Sequence, residues 1–368
     1  MKRLRTTMIL TALILTGLVA ATFIFMQQST FGRNPTEVRL ERIKRSPNYR
    51  DGSFQNLEQT AVMRQDASYR DMFSDFFNRP KDNVPPQPIP SVRTDLRTLS
   101  DENPTLVWFG HSSYLIKSKG VTILVDPVFS GNASPVSFFG KAYPGSNVYG
   151  VDDMPNIDML ILSHDHYDHL DYQTITKLIP NVKKFYTALG VGAHLERWGV
   201  PADRIVEFDW WESQTVSPEI ELTAVPARHF SGRSITRGKT LWTAFAMKLH
   251  GHSLFLGGDS GYGKHFQEIG VKYGPFDLAI LECGQYGRDW PNIHMFPEEI
   301  PTVAHDLQAR TVLPVHWAKF SLSNHSWNEP IKRLMKTAQE KNLAVTTPRI
   351  GEPVVVDATY PQTVWWNF

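Results

Sequence analysis

Five side chains that commonly bind metal ions lie within six residues of this 368-residue chain. They are the imidazoles of His164, His166 and His169 and the carboxylates of Asp165 and Asp168. Neutral imidazole and carboxylate are ordinary zinc ligands, and they also bind iron or manganese. Two imidazoles two residues apart can reach one ion, and the carboxylate–imidazole pair just beyond can reach one as well. The cluster therefore predicts chemistry in which a bound metal ion activates water.

The cluster directly follows the apolar run Met159–Leu162, which predicts that it lies on a loop at the end of a β-strand. Loops held by a rigid scaffold carry catalytic groups more often than cores do. Earlier in the chain, the short apolar runs 106–109, 113–116 and 121–125 are separated by glycine-containing turns. We interpret these three runs as consecutive strands.

Strand and helix patterns alternate through the rest of the chain. Further strands are predicted at 184–187, 220–225, 244–249, 254–257, 278–282 and 311–315, and helices at 172–178, 191–198, 263–273, 297–307 and 329–341. Strands dominate and no repeat is evident. The pattern predicts one layered α/β domain over residues 101–368 rather than two separable domains.

The first 30 residues form a hydrophobic head, with no charged residue between Thr6 and Met26. About 20 apolar residues match the hydrocarbon thickness of a bilayer, whereas a signal peptide's apolar region spans about 7–15. Residues 1–30 are therefore predicted to be an uncleaved membrane anchor, with a cleaved signal as the alternative. Because long domains translocate despite flanking positive charge, we expect single-pass attachment to a bacterial inner membrane with the catalytic domain exported.

Residues 31–100 are polar and contain five prolines between positions 80 and 90. We interpret them as an extended linker and lead-in. The basic residues that follow the anchor either face anionic lipid head groups or belong to a solvated linker.

Charge and composition exclude several classes of protein. Residues 1–50 carry nine bases and two acids, whereas residues 51–368 carry 29 bases and 35 acids. A mildly acidic body argues against nucleic-acid binding, which needs positive charge to displace phosphate counterions. A hydrophobic content of 41% argues against disorder over most of the chain. The single cysteine, Cys283, excludes an internal disulfide framework and a Cys-rich zinc finger.

The segment His164–His169 matches the HxHxDH signature of the metallo-β-lactamase superfamily. That resemblance implies an αβ/βα four-layer sandwich with a two-metal site at one edge. A larger set of segments resembles the N-acyl-phosphatidylethanolamine-hydrolysing phospholipase D family, namely 123–129, 163–172, 209–212, 258–262, 274–278 and 315–317. The signature is common to the superfamily, whereas the larger set, within residues 107–343, is more specific.

The resemblance implies seven ligands for two zinc ions, although iron or manganese would fit the same donors. The ligands are His164, His166 and His229 for one ion, Asp168, His169 and His316 for the second, and Asp259 as the bridge. Asp126 would orient a ligand imidazole from outside the site. His294 would act in catalysis beside Asp259 by steadying a phosphoryl oxygen or the leaving group, or else it is a surface histidine. His111 is interpreted as structural, and Cys283 as a buried inert thiol.

The resemblance further implies a zinc-dependent phosphodiesterase of the phospholipase D type. Its substrate would be N-acyl-phosphatidylethanolamine, and its products N-acylethanolamine and phosphatidic acid. The alternative is a related metallo-hydrolase that acts on a lactone or a small phosphodiester. The expected partners are the phospholipid substrate and the membrane, without nucleic acid. The oligomeric state stays open, with a homodimer as one alternative.

Overall fold

The computed structural model describes residues 2–68, 70, 74–75 and 77–368. Two α-helices and a short hairpin are among the described elements of the N-terminal part. These are α1 (Lys2–Met26), α2 (Glu37–Lys44), β1 (Tyr49–Arg50) and β2 (Ser53–Phe54). Within the described residues, α1 is the one helix long and apolar enough to cross a membrane by length and composition.

Two mixed β-sheets form the body. The first sheet has strand order β15-β3-β4-β5-β6-β7-β8. Its strands are β3 (Thr105–Trp108), β4 (Tyr114–Ser118), β5 (Val121–Val125), β6 (Ile157–Leu162), β7 (Val182–Ala188), β8 (Ile205–Phe208) and β15 (Pro353–Val355). The second sheet has order β14-β13-β12-β11-β10-β9. Its strands are β9 (Ser213–Ser217), β10 (Ile220–Val225), β11 (Ala244–Leu249), β12 (His252–Leu256), β13 (Phe276–Glu282) and β14 (Ala309–Val315).

Helices cover the outer face of each sheet. They are α3 (Tyr172–Leu178), α4 (Gly192–Arg197), α5 (His265–Tyr273), α6 (Ile300–Asp306) and α7 (Glu329–Glu340). Strand β3 shows how the layers join, because successive strand side chains point to opposite faces. Leu106 and Trp108 pack between the two sheets, whereas Val107 packs with Ile175 and Leu178 of α3. The predicted αβ/βα four-layer sandwich is confirmed.

Most predicted elements occur within two or three residues of their expected ends. Strands β5, β10 and β11 and helix α3 match the prediction at both ends. Strands β8, β9 and β15 of the two sheets were not predicted from the sequence. Strand β9 is polar and largely exposed at the edge of the second sheet, so it shows no apolar alternation.

The lead-in is folded onto the body rather than extended throughout. Ile43 of α2 and Phe54 of β2 are buried in the core beside the first sheet. Arg39 forms ion pairs with Glu196 and Glu207, and these pairs hold α2 against α4 and β8. Some of the basic residues after the anchor, such as Arg39, therefore form ion pairs with the body.

Candidate metal centre

The predicted ligands lie on loops that leave the same edge of the two sheets. His164 follows β6, Asp259 follows β12, and His316 directly follows β14. Strands β5 and β6 run parallel, as do β12, β13 and β14, so their carboxyl ends meet at one edge, where open α/β sheets bind ligands. Gly258 permits a close approach of the loop after β12 to the loop after β6, because a Cβ there would lie 2.8 Å from the Cβ of Ser163.

The first ligand group brings together four donors around one point. His166 Nδ1 lies 2.9 Å from His164 Nε2 and 3.2 Å from His229 Nε2. Asp259 Oδ2 lies 3.7 Å from both Nε2 atoms. Ligands bound tetrahedrally at 2.0–2.1 Å are roughly 3.3 Å apart, so this spacing fits a tetrahedral metal site.

The second group contains one residue more than predicted. Asp168 Oδ2 lies 3.6 Å from His169 Nε2 and 4.0 Å from His316 Nε2. His111 Nε2 lies 2.8 Å from the same carboxylate oxygen, and its side chain is fully buried. His111, interpreted from sequence as structural, is therefore placed among the donors of the second group.

Asp259 connects the two groups. Its Oδ2 lies 3.2 Å from His169 Nε2, in addition to its contacts with the first group. Five buried side-chain atoms among the described residues lack a hydrogen-bond partner, and three of them lie at this centre, namely His111 Nδ1, His169 Nε2 and Asp259 Oδ1. Each such atom costs about 1–3 kcal/mol unless something binds it. The orphaned atoms and the donor set together fit a two-metal centre bridged by Asp259.

Contacts outside the two groups fix the orientation of the imidazoles. His169 Nδ1 donates to Asp126 Oδ2 at 2.8 Å, as predicted for this carboxylate. His229 Nδ1 donates to the Ile293 carbonyl at 2.8 Å, which turns its Nε2 towards the centre. Asn56 of the lead-in bonds both backbone groups of His229, accepting from its N–H at 3.1 Å and donating to its carbonyl at 2.8 Å. Such partners fix the tautomer and direction of a metal ligand.

His294 lies beside the centre and is held by a carboxylate that the sequence analysis missed. Its Nδ1 lies 2.6 Å from Glu282 Oε2, and its ring centroid is 5.0 Å from that of His229. Glu282 is 1% exposed, and its Oε1 accepts the N–H of Ser260 at 2.7 Å. His294 is thus a pocket residue rather than a surface histidine.

Burial sets the charge of most of the imidazoles. It lowers the pKa values of His164, His229 and His316 well below the usual range, and neighbouring imidazoles lower them further. Burial lowers the pKa of His166 to about 4. These four side chains are neutral at pH 7, which is the form that binds metal ions.

The pKa of His169 is shifted in the opposite direction, because three carboxylates surround its imidazole. Burial lowers its pKa, but the charges of Asp259, Asp168 and Asp126 outweigh burial and raise the pKa well above 6.5. Burial raises the pKa of Asp259 to about 6 and that of Glu282 well above its usual value. An excess of buried negative charge at the centre is what bound cations would neutralise.

Three residues at the second group have left-handed backbones. The φ angles are 52° for His111, 41° for Asp126 and 67° for His316. This conformation is uncommon for residues other than glycine, and it persists where the surroundings impose it. Such strain clusters at functional sites, and here it coincides with the donor groups.

A pocket of about 260 Å³ opens above the centre. Its floor carries six side chains, namely His166, Asp168, His229, Asp259, His294 and His316. Its remaining wall is largely apolar, and it consists of Val62, Met63, Phe230, Trp290, Ile293 and Leu322, with Arg237 and Gln285. The pocket can therefore hold a molecule with one polar end and one apolar part.

Two other interpretations concern residues near the centre. Asp165 does not face the donors, because its side chain bonds His194, Thr240 and the Gly232 N–H. Cys283 is fully buried, and burial raises its pKa well above 9, as expected of an inert thiol. Neither residue contributes a donor.

The sequence matches a known family and several known proteins. Residues 121–317 match the β-lactamase superfamily domain. An uncharacterized protein of Mycobacterium tuberculosis is 39% identical over 331 residues, covering 88% of each chain. N-acyl-phosphatidylethanolamine-hydrolyzing phospholipase D 1 of Caenorhabditis elegans is 30% identical over 263 residues, covering 67% of this chain and 74% of the relative. Outer membrane protein RomA of Klebsiella pneumoniae is 45% identical over 123 residues, covering 32% of this chain and 93% of the relative.

Solved structures share the fold. Igni18, a metallo hydrolase from Ignicoccus hospitalis, aligns with a TM-score of 0.53 and 20% identity over 70% of this chain and all of its own. The diiron β-hydroxylase CmlA of Streptomyces venezuelae aligns with a TM-score of 0.53 and 18% identity over 70% of this chain and 55% of its own. Fold and family together define a metal-dependent hydrolase. The chain belongs to the metallo-β-lactamase superfamily, and it is similar to the N-acyl-phosphatidylethanolamine-hydrolysing phospholipases D.

Proposed function

We propose that this protein is a membrane-attached, zinc-dependent phosphodiesterase. Its substrate is N-acyl-phosphatidylethanolamine, and its products are N-acylethanolamine and phosphatidic acid. The observation that carries the proposal is the pocket, in which metal-binding donors form the floor and apolar side chains form the wall. The similarity to the Caenorhabditis elegans enzyme supports the choice of substrate.

A second groove adjoins the pocket. It has a volume of about 460 Å³ and shares Val62, His229, Phe230 and Arg237 with the pocket. Its other lining residues are mostly polar, including Gln55, Asn56 and Glu58. The apolar wall of the pocket therefore suits an acyl chain, and the groove suits a polar part of the substrate. Arg237 stands at their junction with its guanidinium 5.0 Å from the Phe230 ring centroid, where it can pair with a phosphate.

The reaction adds one water across a phosphorus–oxygen bond. The water oxygen joins phosphorus, and a proton reaches the leaving alcohol. A zinc ion held by these donors would lower the pKa of water from 15.7 to about 7 and so supply hydroxide near neutral pH. Asp259 bridges the two donor groups, and His294 holds a proton for the leaving oxygen. Glu282 fixes His294 through Nδ1, which leaves Nε2 for the substrate.

Two zinc ions are proposed because the first group has the spacing of a tetrahedral site. His164, His166 and His229 would hold one ion, and Asp168, His169 and His316 the other, with His111 close to the second. Elemental analysis of the purified protein tests this, and two equivalents of iron or manganese would replace zinc in the proposal.

Attachment through α1 to a bacterial inner membrane is part of the proposal, with the catalytic body exported. The uncharged stretch from Thr6 to Met26 has 21 residues, which span about 31 Å as a helix and match a hydrocarbon core of about 30 Å. Within α1, the side chains from Arg3 onward are exposed almost throughout, so the helix makes little contact with the body. A membrane would cover this apolar surface.

One parallel assay tests the substrate. Full-length, metal-loaded protein in detergent micelles is given N-acyl-phosphatidylethanolamine, an aryl phosphodiester and an acyl lactone. We expect hydrolysis of the phospholipid at the bond to the N-acylethanolamine, with the His294→Gln variant as the control for the same centre. Turnover of the lactone alone would assign the site to the alternative hydrolase and overturn the phosphodiesterase proposal.

A further inference from the structure

We propose that the segment from Phe230 to Gly238, called here the interfacial loop, lies against the lipid head groups. In that position it holds the mouth of the metal pocket at the membrane surface. This inference rests on the membrane attachment proposed above, but it does not depend on the identity of the substrate. The partner is a bilayer surface that contains anionic lipid.

The interfacial loop is bonded directly to the segment that follows the apolar helix. Arg233 Nη2 donates to the Thr30 carbonyl at 2.7 Å, and Nε donates to the same oxygen at 3.1 Å. Asn34 Nδ2 donates to Thr236 Oγ1 at 3.2 Å. Neighbouring Trp198 donates through Nε1 to the Ser29 carbonyl at 2.7 Å. The helix therefore joins the body through a fastened segment rather than a free tether.

The number of residues between α1 and Thr30 limits how far the Arg233–Thr30 contact can lie from the hydrocarbon core. The uncharged stretch of α1 ends at Met26, and Thr30 follows four residues later. Four residues reach about 14 Å at most when extended, and the head-group region of one leaflet is about 5–7 Å thick. The Arg233 guanidinium is thus held close to the level of the head groups.

The same guanidinium reaches the loop that carries the metal-binding donors. Arg233 Nη1 donates to the carbonyls of Asp165 and Leu170, both at 2.7 Å, and the side chain is buried. Tyr167 Oη donates back to the Arg233 carbonyl at 2.6 Å. The buried Arg233 guanidinium therefore links the end of the anchor to the segment between His164 and Leu170. This link fixes the position of the metal centre relative to the membrane.

The tip of the interfacial loop has the composition of a membrane contact. Ile235 is 86% exposed, and Ser234, Thr236 and Arg237 beside it are exposed as well. An apolar tip can enter the head-group layer while an adjacent arginine pairs with lipid phosphates. Because Phe230 and Arg237 also line the pocket, the interfacial loop forms a continuous path from the membrane surface to the metal centre.

The chain offers a direct test because its one cysteine, Cys283, is fully buried. Ile235→Cys therefore adds a single accessible thiol for an environment-sensitive fluorophore. The full chain is labelled in detergent and reconstituted into vesicles of phosphatidylcholine and phosphatidylglycerol that contain spin-labelled lipid. The matched control is Val271→Cys, which is 74% exposed on α5, and Val19→Cys within α1 reports on the anchor itself.

We expect the probe at Ile235 to shift its emission to the blue and to be quenched about twofold or more, as expected for contact with the lipid interface. The probe at Val271 should keep its emission in the same vesicles. Quenching at Val19 without quenching at Ile235 would contradict the membrane contact of the interfacial loop but not the membrane insertion of α1. Equal quenching at Ile235 and Val271, or none at Val19, would also overturn the proposal. Hydrolysis is not measured, so these outcomes are separate from the fate of the phosphodiesterase proposal.

Discussion

Replacing Asp126 by asparagine should release one metal ion while leaving the fold in place. Asp126 Oδ1 accepts from the Ser163 N–H at 2.8 Å, and Oδ2 accepts from Ser163 Oγ at 2.6 Å and from His169 Nδ1 at 2.8 Å. Asparagine has one acceptor oxygen and an NH2 group. In either orientation of the amide, its NH2 group faces another donor, which is either the Ser163 N–H or the His169 Nδ1–H.

The imidazole relieves this conflict most easily by changing its tautomer. The proton then moves to His169 Nε2, the atom that would bind the second metal ion. Loss of such a partner costs about 10–100-fold in metal affinity, or about 1.4–2.7 kcal/mol. Asparagine tolerates the left-handed backbone at this position, where φ is 41°, so the loop itself should persist.

The assay is metal stoichiometry by elemental analysis, combined with titration against a chelator. We expect Asp126→Asn to retain one ion and to bind the other at least about tenfold more weakly. Asp171→Asn is the matched control, because this buried carboxylate accepts from Ser130, Gln173 and Thr174 and not from an imidazole. Two ions bound with unchanged affinity in Asp126→Asn would refute the reasoning.

Two further predictions use the same centre, and a third concerns the buried Lys319. Asp259→Asn should lose metal as well as rate, because Asp259 Oδ2 contacts both donor groups, and two ions with unchanged activity would contradict the bridge. His294→Gln should lower kcat by about 10²-fold for a phosphodiester with an alkyl leaving group and less for a nitrophenyl ester, since only the first needs a proton from His294; equal losses would contradict this. Burial lowers the pKa of Lys319 from 10.5 to about 7. Between these two pH values the unfolded chain binds more protons than the folded protein. The free energy of unfolding should therefore rise with pH across that window, by at most about 5 kcal/mol. Urea unfolding at pH 6 and pH 9 should show a smaller rise in Lys319→Met, and an identical rise would exclude this lysine as the cause.

The sequence predicted the parts of the centre that follow regular strands. His164, Asp259 and His316 come shortly after apolar runs, so their place at one sheet edge could be expected before the structure was known. His111 also follows an apolar run, residues 106–109, but it was interpreted as structural, and Glu282 was included only as the end of a predicted strand. His111 joins the donors because the turn after β3 places it against Asp168, and Glu282 is the last residue of β13, where an apolar run conceals it.

The lead-in was the least predictable part of the fold. Its prolines and polar residues indicate an extended segment, yet α2 and the β1–β2 hairpin pack on the body. Ion pairs between distant positions, such as Arg39 with Glu207 and Arg42 with Glu212, hold it there. No local periodicity encodes contacts that span more than 160 residues of chain.

The folded lead-in determines what a minimal enzyme must contain. A version that began at residue 101 would lose Ile43, Phe54 and Leu96 from the core, at roughly 1.5–3 kcal/mol each. Their sum is comparable with the whole stability of a typical domain, about 5–15 kcal/mol. The same cut would remove Asn56, which bonds both backbone groups of His229. A soluble enzyme must therefore begin just after the apolar helix, because the segment between anchor and sandwich is a structural part of the catalyst.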